Sequence, residues 1–318
     1  MPPRPLIVRL RNWVGDVILG VPALQLLQAH GYQLQLVGKG WAPTLLAGEA
    51  WPIHVRPARW RERVAQLREL KRQAVAADAG FSRRENALVL PTSFSGALEM
   101  RLAGLRAVGY AQEARGLLLA RAEPITYGGH ALTSYWELAC RFLRITAAVP
   151  TRVELRTTPV DQASADALLA AQGIQPGFVV VCPFAGGQFE KQDKTWPAFA
   201  ALTQQLQQQG RDLVACPGPG EEAIVRDQHP GVRLLANVKL GAYGGLLRRA
   251  ALVISNDTGP AHLAAAVGTP VLSVLGPTKP EQWAPWGPQV QIVRRWPDWP
   301  SVDEVVARTA AMLAAQGS

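Results

Sequence analysis

Asp257, Thr258, Gly259 and His262 fall within one short stretch of SNDTGPAHLAAAVGTPVLSVLG, residues 255–276. An apolar run ends at Ser255, a tight Asp-Thr-Gly turn follows, and Pro260 opens a helical pattern that leads to a second buried run. That pattern is a seat for a phosphate group. The free N–H groups of a helix's first turn, and the positive end of its dipole, point at whatever lies above the turn. Asp257 and His262 place titratable groups beside the seat. The same residues also read as an ordinary cap at Asp257 or Thr258, with His262 on the helix surface. Neither reading of single residues accounts for all four at one strand end, so the cluster points to a binding role.

Three further loops carry chemistry. NWVGD, residues 12–16, follows the first apolar run and contains Asn12 and Asp16. A carboxylate at Asp16 can take a proton from an attacking hydroxyl, or it can cap the helix that follows. In AGGQFEKQDKTW, residues 185–196, Gly186 and Gly187 let the backbone approach a ligand. Lys191 and Lys194 in the same loop can reach a diphosphate, or they are a solvated pair on a long loop. In CPGPGEEA, residues 216–223, Glu221 or Glu222 can accept hydrogen bonds from ribose hydroxyls, or both can counter a helix dipole. This last loop lacks the third glycine of the dinucleotide fingerprint, which disfavours a nicotinamide oxidoreductase. Trp283 and Trp286, in GPTKPEQWAPWG, can wall a base or sugar or fill a core. No HExxH, CxxC or GxxxxGKS pattern occurs, and no metal site is expected.

The elements that position these loops are short apolar strands alternating with helices. In the second half the runs 178–184, 212–218, 232–237, 251–257 and 270–276 are separated by helical stretches. That is the grammar of a parallel sheet covered on both faces. The first half repeats it less cleanly, with runs at 5–10, 32–39, 53–57 and 87–93. The expected fold class is α/β, two doubly wound domains in tandem facing across a cleft, with ligands beyond the carboxyl ends of the strands. The expected boundaries are 1–157 and 158–300, with a terminal helix in 301–318 able to pack back on the first domain.

An apolar content of 48% with 18% charged residues is a globular composition, and no apolar run approaches a membrane span. The opening MPPRPLIVRLRNW lacks the pattern of a signal peptide. The three cysteines, Cys140, Cys182 and Cys216, read as buried thiols in a reducing, cytoplasmic setting. The net charge of +9 is uneven: residues 1–157 carry 21 Lys/Arg against 11 Asp/Glu, and residues 158–318 carry 12 against 13. A basic first half suits an anionic partner: nucleic acid, a membrane surface or a phosphorylated substrate. No nucleic-acid-binding motif accompanies the charge, so no nucleic-acid partner is expected.

NWVGD, VLPTSFSGAL (89–98), KTWP (194–197) and NDTGPAHLAAAVGTPVLSVLGPT together resemble glycosyltransferase family 9, the heptosyltransferases of lipopolysaccharide core synthesis. The first two pieces look more like its heptosyltransferase II branch. The resemblance implies a GT-B fold of two Rossmann-like domains, the first for the acceptor and the second for a nucleotide sugar. It implies inverting transfer without metal, with ADP-L-glycero-β-D-manno-heptose as donor and an inner-core sugar hydroxyl as acceptor. Asp16 matches the family's base and Lys194 its neutraliser of the leaving diphosphate. Asp257 matches the residue holding donor sugar hydroxyls, with Thr258, Gly259 and His262 around the diphosphate and sugar; Gly186, Gly187 and Lys191, read above from their own loop, are then expected to bind the donor too. Glu221 or Glu222 falls where the ribose is bound. Asn12, Ser93, Arg59, Arg61 and Arg63 fall on the acceptor side. An acceptor on a phosphorylated lipid gives the basic half a use. Arg56, Arg59, Arg61, Arg63, Arg68, Lys71 and Arg72 are then expected to dock it peripherally at the cytoplasmic face of the inner membrane.

Overall fold

The computed structural model describes residues 4–316. The chain divides into two units, Met1–Pro150 and Thr151–Ser318. In the first, the apolar runs form six strands: β1 (Arg4–Arg9), β2 (Tyr32–Gly38), β3 (Ile53–Val55), β4 (Ala87–Val89), β5 (Ala107–Tyr110) and β6 (Arg121–Glu123). They make one parallel sheet in the order β3-β2-β1-β4-β5-β6. Its helices are α1 (Val14–Ala29), α2 (Ala42–Leu45), α3 (Trp60–Ala77), α4 (Phe94–Leu102) and α5 (Ala131–Leu143). The α3 pattern buries Val64, Leu67, Leu70 and Ala74, a 3-3-4 stripe. This stripe shares a core with Ile7, Val37 and Val89 of the sheet and Met100 of α4. α1 is buried along most of its length and packs on α5.

The second unit opens with α6 (Pro159–Ala171), capped by a reciprocal Thr158–Asp161 box. The elements that follow are β7 (Val179–Cys182), the hairpin strands β8 (Gln188–Phe189) and β9 (Gln192–Asp193), α7 (Phe199–Gln208), β10 (Leu213–Ala215), α8 (Glu222–Gln228) and β11 (Arg233–Leu234). After them come α9 (Leu240–Leu247), β12 (Leu252–Ser255), α10 (Gly259–Ala266), β13 (Val271–Leu275), α11 (Pro280–Trp283), β14 (Val290–Arg294) and α12 (Val302–Ala314). The parallel sheet runs β11-β10-β7-β12-β13-β14. β7, β12 and β13 are buried at every position, as strands covered on both faces require. On one face Trp196, Phe199, Leu202 and Leu206 pack with Val305, Val306 and Met312 of α12. The terminal helix, expected as a segment able to pack on the first domain, packs here on α7 and the second sheet.

Both sheets share one consequence of their strand order. The first strand of each, β1 or β7, lies between the second and the fourth. Successive connections therefore leave to opposite sides at β1/β4 and at β7/β12. The loops after those strands diverge and leave the carboxyl edge open, which is where ligands of such sheets bind. The strands β5, β6 and β14 and the β8–β9 hairpin are additions to the sequence reading. β6 is the charged triplet Arg-Ala-Glu and β14 is half polar, because edge strands need no continuous apolar run. The helix α2 that follows β2 is a single turn. All three cysteines are free, and burial pushes the Cys182 thiol up to about 11.

Candidate functional site

In the second unit the two loops at the β7/β12 switch point are tied together by one side chain. Asn256 follows β12 and is wholly buried. Its Oδ1 accepts from the Trp196 backbone N–H at 2.9 Å, and its Nδ2 donates to the Pro183 carbonyl at 2.7 Å. Asn256 thus holds both ends of the long loop after β7. Trp196 is anchored further by its indole N–H, which donates to the Pro300 carbonyl at 3.1 Å, and by an edge-on contact with Phe199. This fixes Lys194, two residues from Trp196, against Asp257, the neighbour of Asn256.

Lys194 Nζ donates to Asp257 Oδ2 at 3.1 Å and to the Asp257 carbonyl at 3.2 Å. Thr278 Oγ1, from the loop after β13, donates to the same Oδ2 at 2.9 Å. The Lys194 and Asp257 side chains are 14% and 13% exposed, so the pair is largely shielded from solvent yet still reachable. α10 then begins with Thr258 as its extended N-cap residue and Pro260 in its first turn. No side chain caps this end, so the cap expected as the alternative role of Asp257 or Thr258 is not formed. Asp257 is turned toward Lys194 and Thr278. His262 is 6% exposed and buried within α10, where the sequence also allowed a surface position. Asp257, Thr258, Gly259, His262 and Lys194 are therefore brought together at one strand end.

The other residues of this unit stand differently. Gly186 and Gly187 lie in the exposed part of the loop after β7, with Gly187 at φ +74°. Lys191 is exposed at the tip of the β8–β9 hairpin, at φ +65°. Glu221 Oε2 accepts from the Gly218 N–H at 2.7 Å, and Glu222 Oε2 accepts from the Gly220 N–H at 3.1 Å. Both carboxylates shape their own turn at the start of α8. Trp283 and Trp286 are half-buried.

In the first unit, α1 starts at Val14 with Trp13 as its N-cap residue, so Asp16 is the third helical residue and not the cap. Its carboxylate is held by two donors to one oxygen. The Tyr135 hydroxyl of α5 donates to Asp16 Oδ1 at 2.6 Å, and Arg11 Nε donates to the same atom at 3.3 Å. Burial and the adjacent Asp16 charge push the Tyr135 phenol well above its ordinary value. Asn12 is fixed by Arg9, whose Nη2 donates to Asn12 Oδ1 at 3.1 Å. Arg9 is 3% exposed; burial, with Arg56 adding to it, brings the guanidinium down to about 10.

The β4–α4 loop, on the other side of the β1/β4 switch point, carries Ser93 as the N-cap residue of α4. Arg115 is entirely buried and donates to the carbonyls of Pro91, Ser93 and Tyr110, which sets that loop. Burial brings its guanidinium down to about 10. The Glu113 side chain accepts from the Phe94 N–H at 3.1 Å and so caps α4 from outside the helix.

The arginines expected to bind the acceptor or to dock the first unit divide into two sets. Arg56 and Arg63 each donate to Glu99 Oε1 at 3.1 Å, and Glu99 is buried, so these two are structural partners. Arg59 and Arg61 are exposed at the start of α3, with the Arg59 side chain 85% exposed. Sequence reasoning missed Arg11, Tyr135, Arg115, Asn256 and Thr278. Asn256 and Thr278 lie inside motifs already singled out, SNDTGPAH and GPTKPEQW. Tyr135 lies 119 residues from its partner and carries no local signal.

A doubly wound sheet with a cationic side chain, a carboxylate and an uncapped helix start at its switch point is the architecture of a nucleotide-binding unit. Residues 81–310 match the model of glycosyltransferase family 9 (heptosyltransferase), and the chain belongs to that family. Lipopolysaccharide heptosyltransferase 3 of Escherichia coli is 35% identical over 122 residues, which is 36% of this chain and 35% of that protein. The chain thus aligns with about a third of the length of that curated relative. Among solved structures, the ADP-heptose lipopolysaccharide heptosyltransferase II of Escherichia coli matches with a TM-score of 0.78 at 20% identity, over 99% of this chain and 100% of that one. An Escherichia coli heptosyltransferase solved with ADP matches with a TM-score of 0.71 at 20% identity, over 97% and 99%. At such identities the likeness speaks for the fold, a two-sheet GT-B arrangement.

Proposed function

We propose that this chain transfers a heptose from ADP-L-glycero-β-D-manno-heptose to an inner-core sugar of lipopolysaccharide, with inversion and without a metal ion. The observation that carries the reading is the Lys194–Asp257–Thr278 constellation beside the uncapped start of α10. Lys194 supplies a positive charge and the α10 amides supply oriented donors, which together meet the charge that develops on a departing diphosphate. A magnesium ion plays that part in other nucleotide-sugar chemistry, and these groups take its place. Family membership and the solved relative carrying ADP support an ADP-linked donor.

In this reading Asp16 accepts the proton of the acceptor hydroxyl as its oxygen attacks the anomeric carbon. The bond from that carbon to the diphosphate oxygen breaks, and ADP leaves with the electron pair. Asp257 holds hydroxyls of the donor sugar once the ligand draws Lys194 toward the diphosphate. Thr258, Gly259 and His262 line the diphosphate and sugar, Gly186 and Gly187 let the backbone close on them, and Lys191 adds charge from the hairpin. Glu221 or Glu222 receives the ribose, giving up a hydrogen bond within its own turn. Asn12 and Ser93, at the ends of β1 and β4, orient the acceptor. Exposed Arg59 and Arg61 attract its anionic groups, while Arg63 contributes through its hold on Glu99.

No helix among the described residues is long and apolar enough to cross a membrane. The basic start of α3 supports a peripheral position at the cytoplasmic face of the inner membrane, near a lipid-linked acceptor. Reversing the charges of Arg59, Arg61 and Arg72 lowers binding to anionic vesicles and turnover of lipid-linked acceptor, with less effect on a short soluble acceptor. Unchanged vesicle binding refutes the membrane part.

The test of the function itself is incubation with ADP-heptose and a panel of truncated core acceptors, read by mass. Addition of one heptose to an acceptor is the expected result. Thermal stabilisation by ADP-heptose and ADP, but not by UDP-sugars, is the expected companion. Stabilisation by UDP-sugars alone assigns the chain to a different donor.

A further inference from the structure

We infer that Tyr135 and Arg11 are positioning residues that dedicate one oxygen of Asp16 to the protein and reserve the other, Oδ2, as the atom that takes the acceptor's proton. The inference rests on the reading of Asp16 as the base. Three observations carry it. Both donors converge on Oδ1, at 2.6 Å from the Tyr135 hydroxyl and 3.3 Å from Arg11 Nε. Among the described residues, no hydrogen bond reaches Oδ2. The Asp16 side chain is only 9% exposed, so few orientations are open to it.

Tyr135 is suited to this task by where it sits. It is 5% exposed on α5, the helix packed against α1, so its hydroxyl approaches Asp16 from the side of the protein interior. A phenol that burial and a neighbouring carboxylate keep protonated has a single hydrogen to give, and here it is given to Oδ1. The hydrogen bond to a charged acceptor is short and strong, and it fixes the rotation of the carboxylate. Arg11 approaches the same oxygen from the loop before α1 and brings the charge. The further charged groups on this side are Arg115, which faces Arg11, and Arg9, which acts through Asn12. With both donors on Oδ1, Oδ2 keeps its lone pairs for substrate. In the transfer step the acceptor proton moves to Oδ2, the acceptor oxygen bonds to the anomeric carbon, and ADP departs. Oδ1 keeps both donors throughout, so nothing needs to rearrange.

The experiment compares wild type with Tyr135→Phe, Arg11→Lys and Asp16→Asn, each full length. The probes are ADP-heptose and the acceptor of the panel that turns over, with kcat, both KM values and the melting temperature measured. Tyr135→Phe is expected to lower kcat about tenfold, the scale of one hydrogen bond to a charged group. Donor KM is expected to stay unchanged, because the donor groups of the second unit are untouched. Arg11→Lys keeps the charge and is expected to retain more activity than Tyr135→Phe. A purely structural role lowers the melting temperature and raises donor KM together with any fall in kcat, and ADP binding with near-UV circular dichroism confirms that each variant is folded. An inactive Asp16→Asn alongside a Tyr135→Phe enzyme with unchanged kcat overturns this inference alone. Transfer that survives in Asp16→Asn overturns the base assignment, and this inference with it.

Discussion

Replacing Asn256 with alanine tests how the second unit builds its site. The side chain is fully buried and satisfies two backbone groups, the Trp196 N–H at 2.9 Å and the Pro183 carbonyl at 2.7 Å. Alanine leaves both unpaired in a dry interior. At about 1–3 kcal/mol for each stranded group, the loss is about 4 kcal/mol, with the small void adding to it. For a unit of this size that corresponds to a fall of roughly 10 °C in melting temperature. Function falls for a separate reason. With its ends untied, the loop after β7 no longer presents Lys194 to Asp257, so ADP binding weakens roughly tenfold, the scale of one charge-assisted contact. Asn256→Asp is expected to be at least as damaging, because it keeps the acceptor for Trp196 but turns an oxygen toward the Pro183 carbonyl and buries a charge. Calorimetric melting and titration with ADP read both effects. A melting temperature within 2 °C of wild type, with unchanged ADP affinity, refutes the reasoning that one side chain closes this loop.

Other outcomes follow from the same geometry. Thr278→Val removes one of the donors to Asp257 Oδ2 while keeping shape, so kcat/KM falls roughly tenfold with little change in melting temperature. Gly245→Ala places a Cβ 2.9 Å from the Asp161 carbonyl and 3.1 Å from the Ala165 methyl, where α9 meets α6. Denaturant unfolding should show a loss of about 1–3 kcal/mol, against the helix-propensity gain alanine gives at an open site. His229 is buried, with Thr203 Oγ1 3.1 Å from its Nδ1, and burial lowers its value from the ordinary 6.5. Its neutral form is the folded one, so the stability it contributes is present above pH 6.5 and is lost as pH falls through its folded value. His229→Asn is expected to flatten the decline in melting temperature below pH 6.5, and an unchanged slope counts against the assignment.

The fold was legible where strands are buried on both faces. VVVC, LVIS and VLSVL are apolar throughout, and helical spacing separates them. It was not legible where an edge strand pairs on one side only, as in β6 and β14, since no apolar run marks such a strand. The second-unit part of the candidate site was legible because Asp257, Thr258, Gly259 and His262 are local to one turn, and Lys194 lies in a loop that follows a strand. The groups that hold these residues were not. Tyr135 reaches Asp16 only because α5 packs on α1, and Asn256 and Thr278 look like ordinary loop residues until the chain has folded. The basic stretch misled in part, because sequence cannot separate an exposed arginine such as Arg59 from one such as Arg63, committed to buried Glu99.

The most direct test is the stereochemistry and metal dependence of the transfer itself. ADP-heptose with a truncated core acceptor, in the presence of a chelator, should yield ADP and a glycosylated acceptor. NMR should show inverted configuration at the new anomeric centre, and Asp16→Asn should yield no product. Retained configuration, a requirement for added divalent cation, or full transfer by Asp16→Asn would contradict the account.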